Sequence, residues 1–231
     1  MNIAIIPARG GSKRIPRKNI RPFCGRPMIA WPIATALDSG LFEHVIVSTE
    51  DAEIAEVARQ AGAEVPFVRS PELADDHTGT IPVIAHAVNW ARRQGWALNA
   101  VCCIYPTAPM ISPDDLAEGL RLFNQRARDF VFTGTDYASS VFRAFVETPD
   151  GSIEMLFPEH FNSRSQDLPR GLHDAAQFYW GRADAWLSAT TLFGSASSAL
   201  FIPRWRVQDI DTTNDWVRAE ALFRALKPSS S

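Results

Sequence analysis

Three short segments of the chain are apolar throughout, without the alternation expected of a strand that faces solvent on one side. They are Asn2–Pro7, His44–Ser48 and Ala100–Tyr105, and shorter candidates lie at Val65–Val68 and Phe130–Thr133. Runs of this kind are typical of strands that are buried on both faces, as in parallel sheets. The pattern therefore predicts a buried sheet with its first strand at the start of the chain.

Segments with apolar residues at helical spacing separate these strands. Asp51–Ala61 and Ile81–Gln94 each end before a glycine, which is a common helix stop. Ser112, followed by a proline and two aspartates, predicts another helix start, and a final helix is predicted at Asn214–Leu226. Strands that alternate with helices indicate an α/β fold with a mostly parallel sheet.

The alternation of strands and helices stops after about residue 136. Val141–Val146 and Ile153–Phe157 flank the turn sequence Pro149-Asp150-Gly151, which predicts a β-hairpin. The following residues, up to Ala176, show no clear periodicity, and a long irregular segment of this kind is more often functional or interfacial than idle. We expect one domain over residues 1–231 with an insert at about residues 137–176.

Composition excludes several classes of protein. The chain has 231 residues, of which 46% are hydrophobic and 21% charged, so disorder and fibrous repeats are excluded. A net charge of −3 gives no reason to expect nucleic acid or a membrane as partner. The apolar run at the N-terminus is too short for a signal peptide, and no zinc-type cysteine spacing occurs. We therefore expect a soluble, cytoplasmic protein.

The loop after the first strand is strongly basic. Residues 9–26 hold no acidic residue and seven basic ones, namely Arg9, Lys13, Arg14, Arg17, Lys18, Arg21 and Arg26. Gly10 and Gly11 let the backbone approach a ligand, and the loop follows a strand end, where α/β proteins bind ligands. A polyphosphate site fits these features better than a solvated charge cluster or an RNA-binding surface, although neither a Walker A nor a dinucleotide fingerprint is present.

The residues of this loop also resemble a known family. Ile5–Asn19, with the sequence IIPARGGSKRIPRKN, resembles the signature of the sugar-acid cytidylyltransferases. Further resemblance follows in the same order along nearly the whole chain, at Pro71–Asp76, Tyr105–Pro109, Arg164–Asp167 and Asp209–Thr212.

Two other stretches, His173–Gly181 and Arg206–Gln208, are most similar to the branch of this family that acts on pseudaminic acid. Two departures occur, since Ala176 stands where glycine is expected and Thr213-Asn214 replaces a proline–acid pair. Neither Ala176 nor Thr213-Asn214 is a charged or liganding residue.

This resemblance implies a fold, a reaction and an assembly. The fold is a Rossmann-like three-layer α/β sandwich of the nucleotide-diphospho-sugar transferase type, with a β-hairpin insert that forms a homodimer. The reaction transfers CMP from CTP to the anomeric hydroxyl of a nonulosonic acid, foremost pseudaminic acid, and releases pyrophosphate. Neuraminic acid, legionaminic acid and Kdo remain alternative substrates, and a CTP sensor without turnover is an alternative of another class.

The resemblance also implies roles for individual residues. The nucleotide is expected at Ala8, Arg9, Gly10, Gly11, Ser12, Lys13, Lys18, Asn19, Arg69 and Thr80. The sugar is expected at Thr107, Arg143, Arg164, Gln166, His173 and Gln177. Catalysis is expected to depend on Arg9, Lys18, Asp209 and Asp211. Read without the family, Arg69 is also compatible with a surface arginine, and Thr80 with a helix cap.

Asp209 and Asp211 are the candidate metal ligands. On an extended segment, residues two apart point to the same face, so the two carboxylates would converge. Mg²⁺ prefers one or two carboxylates together with phosphate oxygens, and it is the cofactor that the resemblance implies. The alternative is that Asp211 only starts the last helix while Asp209 forms a surface ion pair.

Overall fold

A computed structural model describes residues 1–75, 77–125 and 128–226 of the chain. Asp76, the last residue of the Pro71–Asp76 motif, lies outside these residues. The α-helices are α1 (Ala30–Asp38), α2 (Ala52–Gln60), α3 (Thr80–Arg93), α4 (Pro113–Gln125), α5 (Ala183–Ser188) and α6 (Thr213–Leu226). The strands are β1 (Asn2–Pro7), β2 (Pro22–Phe23), β3 (Arg26–Pro27), β4 (His44–Ser48), β5 (Ala100–Ile104), β6 (Phe130–Asp136), β7 (Phe145–Glu147), β8 (Ile153–Met155), β9 (Leu172–Gly181) and β10 (Ser197–Phe201).

A six-stranded sheet organises the molecule. Its strand order is β10–β6–β9–β5–β1–β4. Strand β1 pairs in parallel with β4 and β5, and β10 pairs in parallel with β6, whereas β9 runs antiparallel to both of its neighbours. The mostly parallel sheet predicted from the apolar runs is therefore confirmed.

Helices cover both faces of this sheet. Along β1, Ala4 and Ile6 face a core that includes residues of α1, α2 and α4, while Ile3 and Ile5 face a core that includes α3 and α5. This alternation confirms the three-layer α/β sandwich. The adjacent Cys102 and Cys103 lie on opposite faces of β5, and burial raises the pKa of both thiols, as suits packing residues.

Some elements differ from the sequence prediction. Val65–Val68 forms no strand, because Pro66 offers no N–H and Val68 is exposed, and only Glu64 bridges to β4. Leu172–Ala176, which lack periodicity in the sequence, form the first half of β9. The hairpin of β7 and β8 is confirmed around the predicted turn, with shorter strands than expected.

A bulge in β9 explains why the family pattern has glycine at the position of Ala176. The register between β6 and β9 shifts here, and Ala176 has a φ of 51°, in the left-handed region that favours glycine. For alanine this conformation costs about 1–2 kcal/mol. The Asp174 carboxylate accepts a hydrogen bond from the Ala176 N–H at 2.9 Å, which stabilises the strained backbone.

The last helix packs against the basic loop near the start of the chain. Phe23 lies in edge-to-face contact with Trp216 and with Phe223 of α6, at 5.4 Å between ring centroids in each pair. The Arg21 guanidinium lies 4.9 Å from the centroid of Trp216. This packing brings the segment before α6, which carries Asp209 and Asp211, next to the loop after β1.

Among the described residues, none of the helices combines the length and the hydrophobicity that a membrane span requires.

Candidate active site

A cavity of about 420 Å³ opens at the carboxyl end of β1 and β5. It brings together residues from five separate parts of the chain. Of the predicted site residues it is lined by Arg9, Ser12, Lys18, Asn19, Arg69, Thr80, Thr107, Asp209 and Asp211. Ala8, Gly10, Gly11 and Lys13 belong to the same loop but are not among its lining residues.

Basic side chains converge on Asp211 at one wall of the cavity. The Lys18 Nζ donates a hydrogen bond to the Ile210 carbonyl oxygen at 2.7 Å and lies 3.4 Å from Asp211 Oδ1. The Arg14 Nη2 lies 2.9 Å from Asp211 Oδ2. The alternative in which Asp211 only starts the last helix is wrong, because its carboxylate contacts the basic loop and lines the cavity.

Asp209 lies beside Asp211 and faces the cavity. Its pKa is raised, first because the surrounding protein displaces water and then because the Asp211 carboxylate repels the negative charge, while Lys18 acts in the opposite direction. Among the residues that the structure describes, no group of three or more His, Cys, Asp and Glu could hold a metal ion. The two aspartates could thus supply two carboxylate oxygens, and further ligands would have to come from water or from a bound phosphate.

Two carboxylates at the end of β4 hold the basic loop in place. The Gly10 N–H donates to Glu50 Oε1 at 2.7 Å. The guanidinium of Arg17 pairs with Asp51, with Nη1 at 2.5 Å from Oδ2 and Nη2 at 3.0 Å from Oδ1. Arg17 itself has a φ of 55°, and a Cβ at Gly10 would collide with the Asp51 carboxylate. The loop conformation therefore depends on residues that the sequence analysis did not single out.

Replacing Asp51 tests how much this attachment contributes to stability. Its pKa is lowered from 3.8 to about 2, chiefly by the hydrogen bond from Arg17. This contribution is present above pH 3.8, the ordinary value, and is lost as the pH falls towards 2. Asp51→Asn keeps a good cap for α2 but removes the charge, so we expect a loss of about 1–2 kcal/mol in the free energy of unfolding at neutral pH.

Urea unfolding between pH 7 and pH 2 measures this effect. The difference between wild type and Asp51→Asn should shrink as the acid limb is reached, because protonated Asp51 also lacks the charge. A difference that stays constant over the whole pH range would contradict the ion-pair explanation.

Arg69 and Thr80 occupy defined positions in the cavity wall. Arg69 is only 3% exposed and pairs with Glu50, so it is not a surface arginine. Thr80 is the first residue of α3, after the cap residue Gly79, and its hydroxyl lies 2.7 Å from the Tyr105 hydroxyl. The alternative reading of Thr80 as the helix cap is therefore wrong. Asn19 donates from Nδ2 to the Arg9 carbonyl oxygen at 2.9 Å, and this hydrogen bond joins the two ends of the loop segment 9–19.

The residues predicted for the sugar are spread over several places. Thr107 lines the cavity, and His173 lines a neighbouring cavity of about 390 Å³ that also contains Asp209. Gln177 is buried and donates from Nε2 to the Arg206 carbonyl oxygen at 3.0 Å. The insert carries the remaining three. Arg143 donates to two backbone carbonyls there, Arg164 pairs with Asp167, and Gln166 is exposed.

A second cavity adjoins the first and was not predicted. It has a volume of about 570 Å³ and shares Gly79, Thr80 and Tyr105 with the first cavity. Its other lining residues are largely apolar, with Asp174 as its one carboxylate among the residues described. The Tyr179 hydroxyl donates to that carboxylate, and burial raises the pKa of Tyr179, so the hydroxyl keeps its proton. No local pattern indicates this contact, because the bulge at Ala176 alters the alternation of side chains along β9.

Comparisons with known proteins identify the family of the chain. A family model described as cytidylyltransferase matches residues 3–148. The chain is 42% identical to "Pseudaminic acid cytidylyltransferase" of Campylobacter jejuni subsp. jejuni serotype O:2, over 96% of each chain. It is 29% identical to "CMP-N,N'-diacetyllegionaminic acid synthase" of Legionella pneumophila subsp. pneumophila, over 96% of this chain and 95% of the other.

Among solved structures, the fold is similar to that of CMP:2-keto-3-deoxy-manno-octonic acid synthetase complexed with CTP. The TM-score is 0.72 at 17% identity, and the match covers 97% of this chain and 99% of the other. This similarity concerns the fold. The family model and the 42% identity over almost the full length together show that the chain belongs to the cytidylyltransferase family, a group of nucleotidyltransferases.

Proposed function

We propose that the chain transfers CMP from CTP to pseudaminic acid, forming CMP-pseudaminic acid and pyrophosphate. The observation that carries the proposal is the convergence of the basic loop, through Lys18 and Arg14, on the Asp209–Asp211 segment inside one cavity. Such a cavity combines cations for a triphosphate with carboxylates for a metal ion. The similarity to the Campylobacter jejuni protein supports the choice of sugar.

The residues of the cavity suit attack on the α-phosphorus of CTP. The anomeric hydroxyl oxygen of the sugar releases its proton to solvent and forms a bond to the α-phosphorus. The bond from this phosphorus to the oxygen shared with the β-phosphate breaks, so negative charge grows on the leaving pyrophosphate. Arg9, Ser12 and Lys13 hold the β- and γ-phosphates in this proposal. Lys18, whose ammonium already lies beside Asp211, stabilises the charge near the α-phosphate.

Magnesium is the proposed cofactor, held by Asp209 and Asp211. The donor set fits the ion, because Mg²⁺ binds through one or two carboxylates and completes its shell with phosphate oxygens and water. Burial, and after it the neighbouring Asp211 carboxylate, raises the pKa of Asp209, and a divalent cation would neutralise the two carboxylates. When bound, the ion supplies charge neutralisation at the transferred phosphate.

The second cavity is the proposed place for the sugar. It is continuous with the nucleotide cavity through Thr80 and Tyr105, and its apolar lining suits the methyl and acyl groups of a nonulosonic acid. Thr107 lines the first cavity and His173 lines the cavity of about 390 Å³, which shares Asp174 with the second cavity. The Asp174 carboxylate disfavours the sugar carboxylate at the end of the second cavity where Asp174 lies. The acid group of the sugar is therefore oriented away from Asp174.

Pyrophosphate release from CTP with Mg²⁺ tests the proposal. Pseudaminic acid, N-acetylneuraminic acid, legionaminic acid and Kdo are compared side by side, with CTP binding measured separately by calorimetry. We expect release with pseudaminic acid at a kcat/KM at least tenfold above the other three. CTP binding without turnover on any sugar would instead indicate a sensor, and a preference for another sugar would correct the substrate.

The insert is the proposed dimer interface. Large apolar side chains are exposed on it, namely Phe145 (61%), Val146 (44%), Ile153 (65%), Leu156 (52%) and Phe161 (65%). An apolar group of this density on one hairpin is typical of a protein–protein contact. Since Arg164 and Gln166 lie on the insert, outside the cavities of their own chain described above, we propose that they contact sugar bound to the partner.

Phe145→Asp is expected to convert the dimer to a monomer. The charge would be buried against the partner without compensation, whereas in a single chain the side chain is already largely exposed. Light scattering after gel filtration measures the mass. Val68→Asp is the matched control, because Val68 is 78% exposed and lies off the insert. A wild-type protein that is monomeric at micromolar concentration would refute the proposed interface.

The cytoplasm is the proposed location. Cys24, Cys102 and Cys103 are all free thiols, which suits a reducing compartment. The proposed reaction also consumes CTP, and nothing in the net charge of −3 favours attachment to an anionic membrane.

A further inference from the structure

Glu50 lies two residues after the end of β4, behind the wall of the first cavity of about 420 Å³, the proposed nucleotide cavity. Its side chain is 23% exposed and is not among the residues that line the cavity. Each oxygen of its carboxylate has a separate partner. Oε1 accepts from the Gly10 N–H at 2.7 Å, and Oε2 accepts from Arg69 Nη2 at 2.6 Å and Nε at 3.2 Å.

The two partners belong to two different segments of the chain that border the cavity, since Arg9, Ser12 and Arg69 line it. Gly10 is part of the loop that leads from Arg9 to Ser12, whereas Arg69 comes from the segment that follows α2 and also donates its backbone N–H to the Thr49 carbonyl oxygen at 2.9 Å. A guanidinium that is 3% exposed always carries its charge, so it requires a carboxylate partner. Because the Gly10 N–H donates its hydrogen bond to Glu50, it is not available to a ligand.

Because one carboxylate makes both contacts, a change in its charge or length alters the positions of the Gly10 loop and of Arg69 together. We propose that Glu50 is a positioning residue that sets the separation between Arg69 and the phosphate side of the loop, and thereby the affinity for CTP. This inference rests on the proposed function, since it takes CTP as the ligand. Glu50 acts through Gly10 and Arg69 and does not touch the nucleotide itself.

Glu50→Gln tests the role at nearly constant side-chain volume. Glutamine has one acceptor oxygen and one NH₂ group, so in the orientation of Glu50 one of the two partners would face a donor instead of an acceptor. We expect the Kd for CTP, measured by calorimetry, and the KM for CTP to rise at least tenfold. We expect kcat at saturating CTP and the KM for the sugar to stay within threefold of wild type. Glu64→Gln is the matched control, because Glu64 pairs with His44 at the opposite end of β4.

Hydrogen exchange separates positioning from a general loss of stability. In Glu50→Gln the Gly10 amide should exchange faster while the amides of β1 and β5 keep their protection. Glu50→Asp is a second variant that retains the charge beside Arg69 but is one methylene too short to reach both partners. It should fold with a Tm within a few degrees of wild type and still bind CTP several-fold more weakly.

Three results would overturn the inference. Wild-type affinity for CTP in folded Glu50→Gln or Glu50→Asp would refute the role of Glu50 alone. A parallel loss of CTP affinity, sugar affinity and protection across the sheet would show that Glu50 is only structural. Failure of the wild-type protein to bind CTP would refute the proposed function and this role with it, and it is recognised from the wild-type titration before any variant is made.

Discussion

Asp209→Asn is expected to lower kcat by roughly a thousandfold, because the change removes a carboxylate from the proposed metal site, where a bound ion contributes several kcal/mol. The amide has nearly the same size, and loss of the charge relieves the repulsion from Asp211 that helps to raise the pKa of Asp209. We therefore expect the Tm to stay the same or to rise slightly. Pyrophosphate release at saturating Mg²⁺ and thermal melting measure the two effects.

Asp215→Asn is the matched control for this variant. Asp215 lies in the same acidic segment, but its carboxylate caps α6 by accepting from the Thr212 N–H at 2.8 Å and the Thr212 hydroxyl at 2.7 Å. We expect this variant to lose stability and to keep kcat within a few-fold of wild type. Asp211 is a less clean test, because replacing it also removes the ion pairs to Arg14 and Lys18. Full activity in Asp209→Asn would refute the metal assignment.

Lys18→Met is expected to lower kcat by about a hundredfold or more, in the range seen when a group that stabilises transition-state charge is removed. Methionine keeps the length of the side chain but cannot stabilise negative charge near the α-phosphate. The Ile210 carbonyl loses its donor, but water can replace it because the cavity is open. Single-turnover kinetics at saturating CTP measure the chemical step, and we expect the Tm to change little.

Arg26→Met controls for the loss of one charge from the same loop. The Arg26 guanidinium stacks on Trp31 at 4.9 Å from the ring centroid and is not among the residues that line the nucleotide cavity. Its replacement should leave kcat within threefold of wild type. Equal losses in the Lys18 and Arg26 variants would mean that the loop acts only through its total charge, and the specific role of Lys18 would then be wrong.

Much of the site was predictable because the residues that carry its chemistry stand close together in the sequence. The cluster of basic residues at 9–26 and the Asp209–Asp211 spacing each indicate their chemistry without knowledge of the fold. The position of the basic loop was also foreseeable, because a loop that follows a parallel strand opens at the carboxyl edge of the sheet. The family resemblance then added residues such as Arg69 and Thr80, whose local sequence is equally compatible with a surface or capping role.

Other parts of the site were not predictable from local patterns. Glu50 and Asp51 are two adjacent acidic residues after a strand. No feature of the sequence shows that they accept hydrogen bonds from Gly10 and Arg17. Tyr179 is buried in β9. Its hydroxyl nevertheless reaches the Asp174 carboxylate, because a bulge lies between the two residues. A bulge changes which residues share a face, so the period of two that serves for regular strands fails at this point.

The sequence by itself determined the α/β class, the positions of β1, β4, β5 and β6 and the basic character of the first loop, because these depend on hydrophobic periodicity and local charge. Only the tertiary structure decided which distant groups meet. Packing of Trp216 and Phe223 against Phe23 carries Asp211 to Lys18, across 193 positions of the chain. Such contacts arise from burial of apolar surface that is shared between remote segments, and no local pattern records which segments will share it.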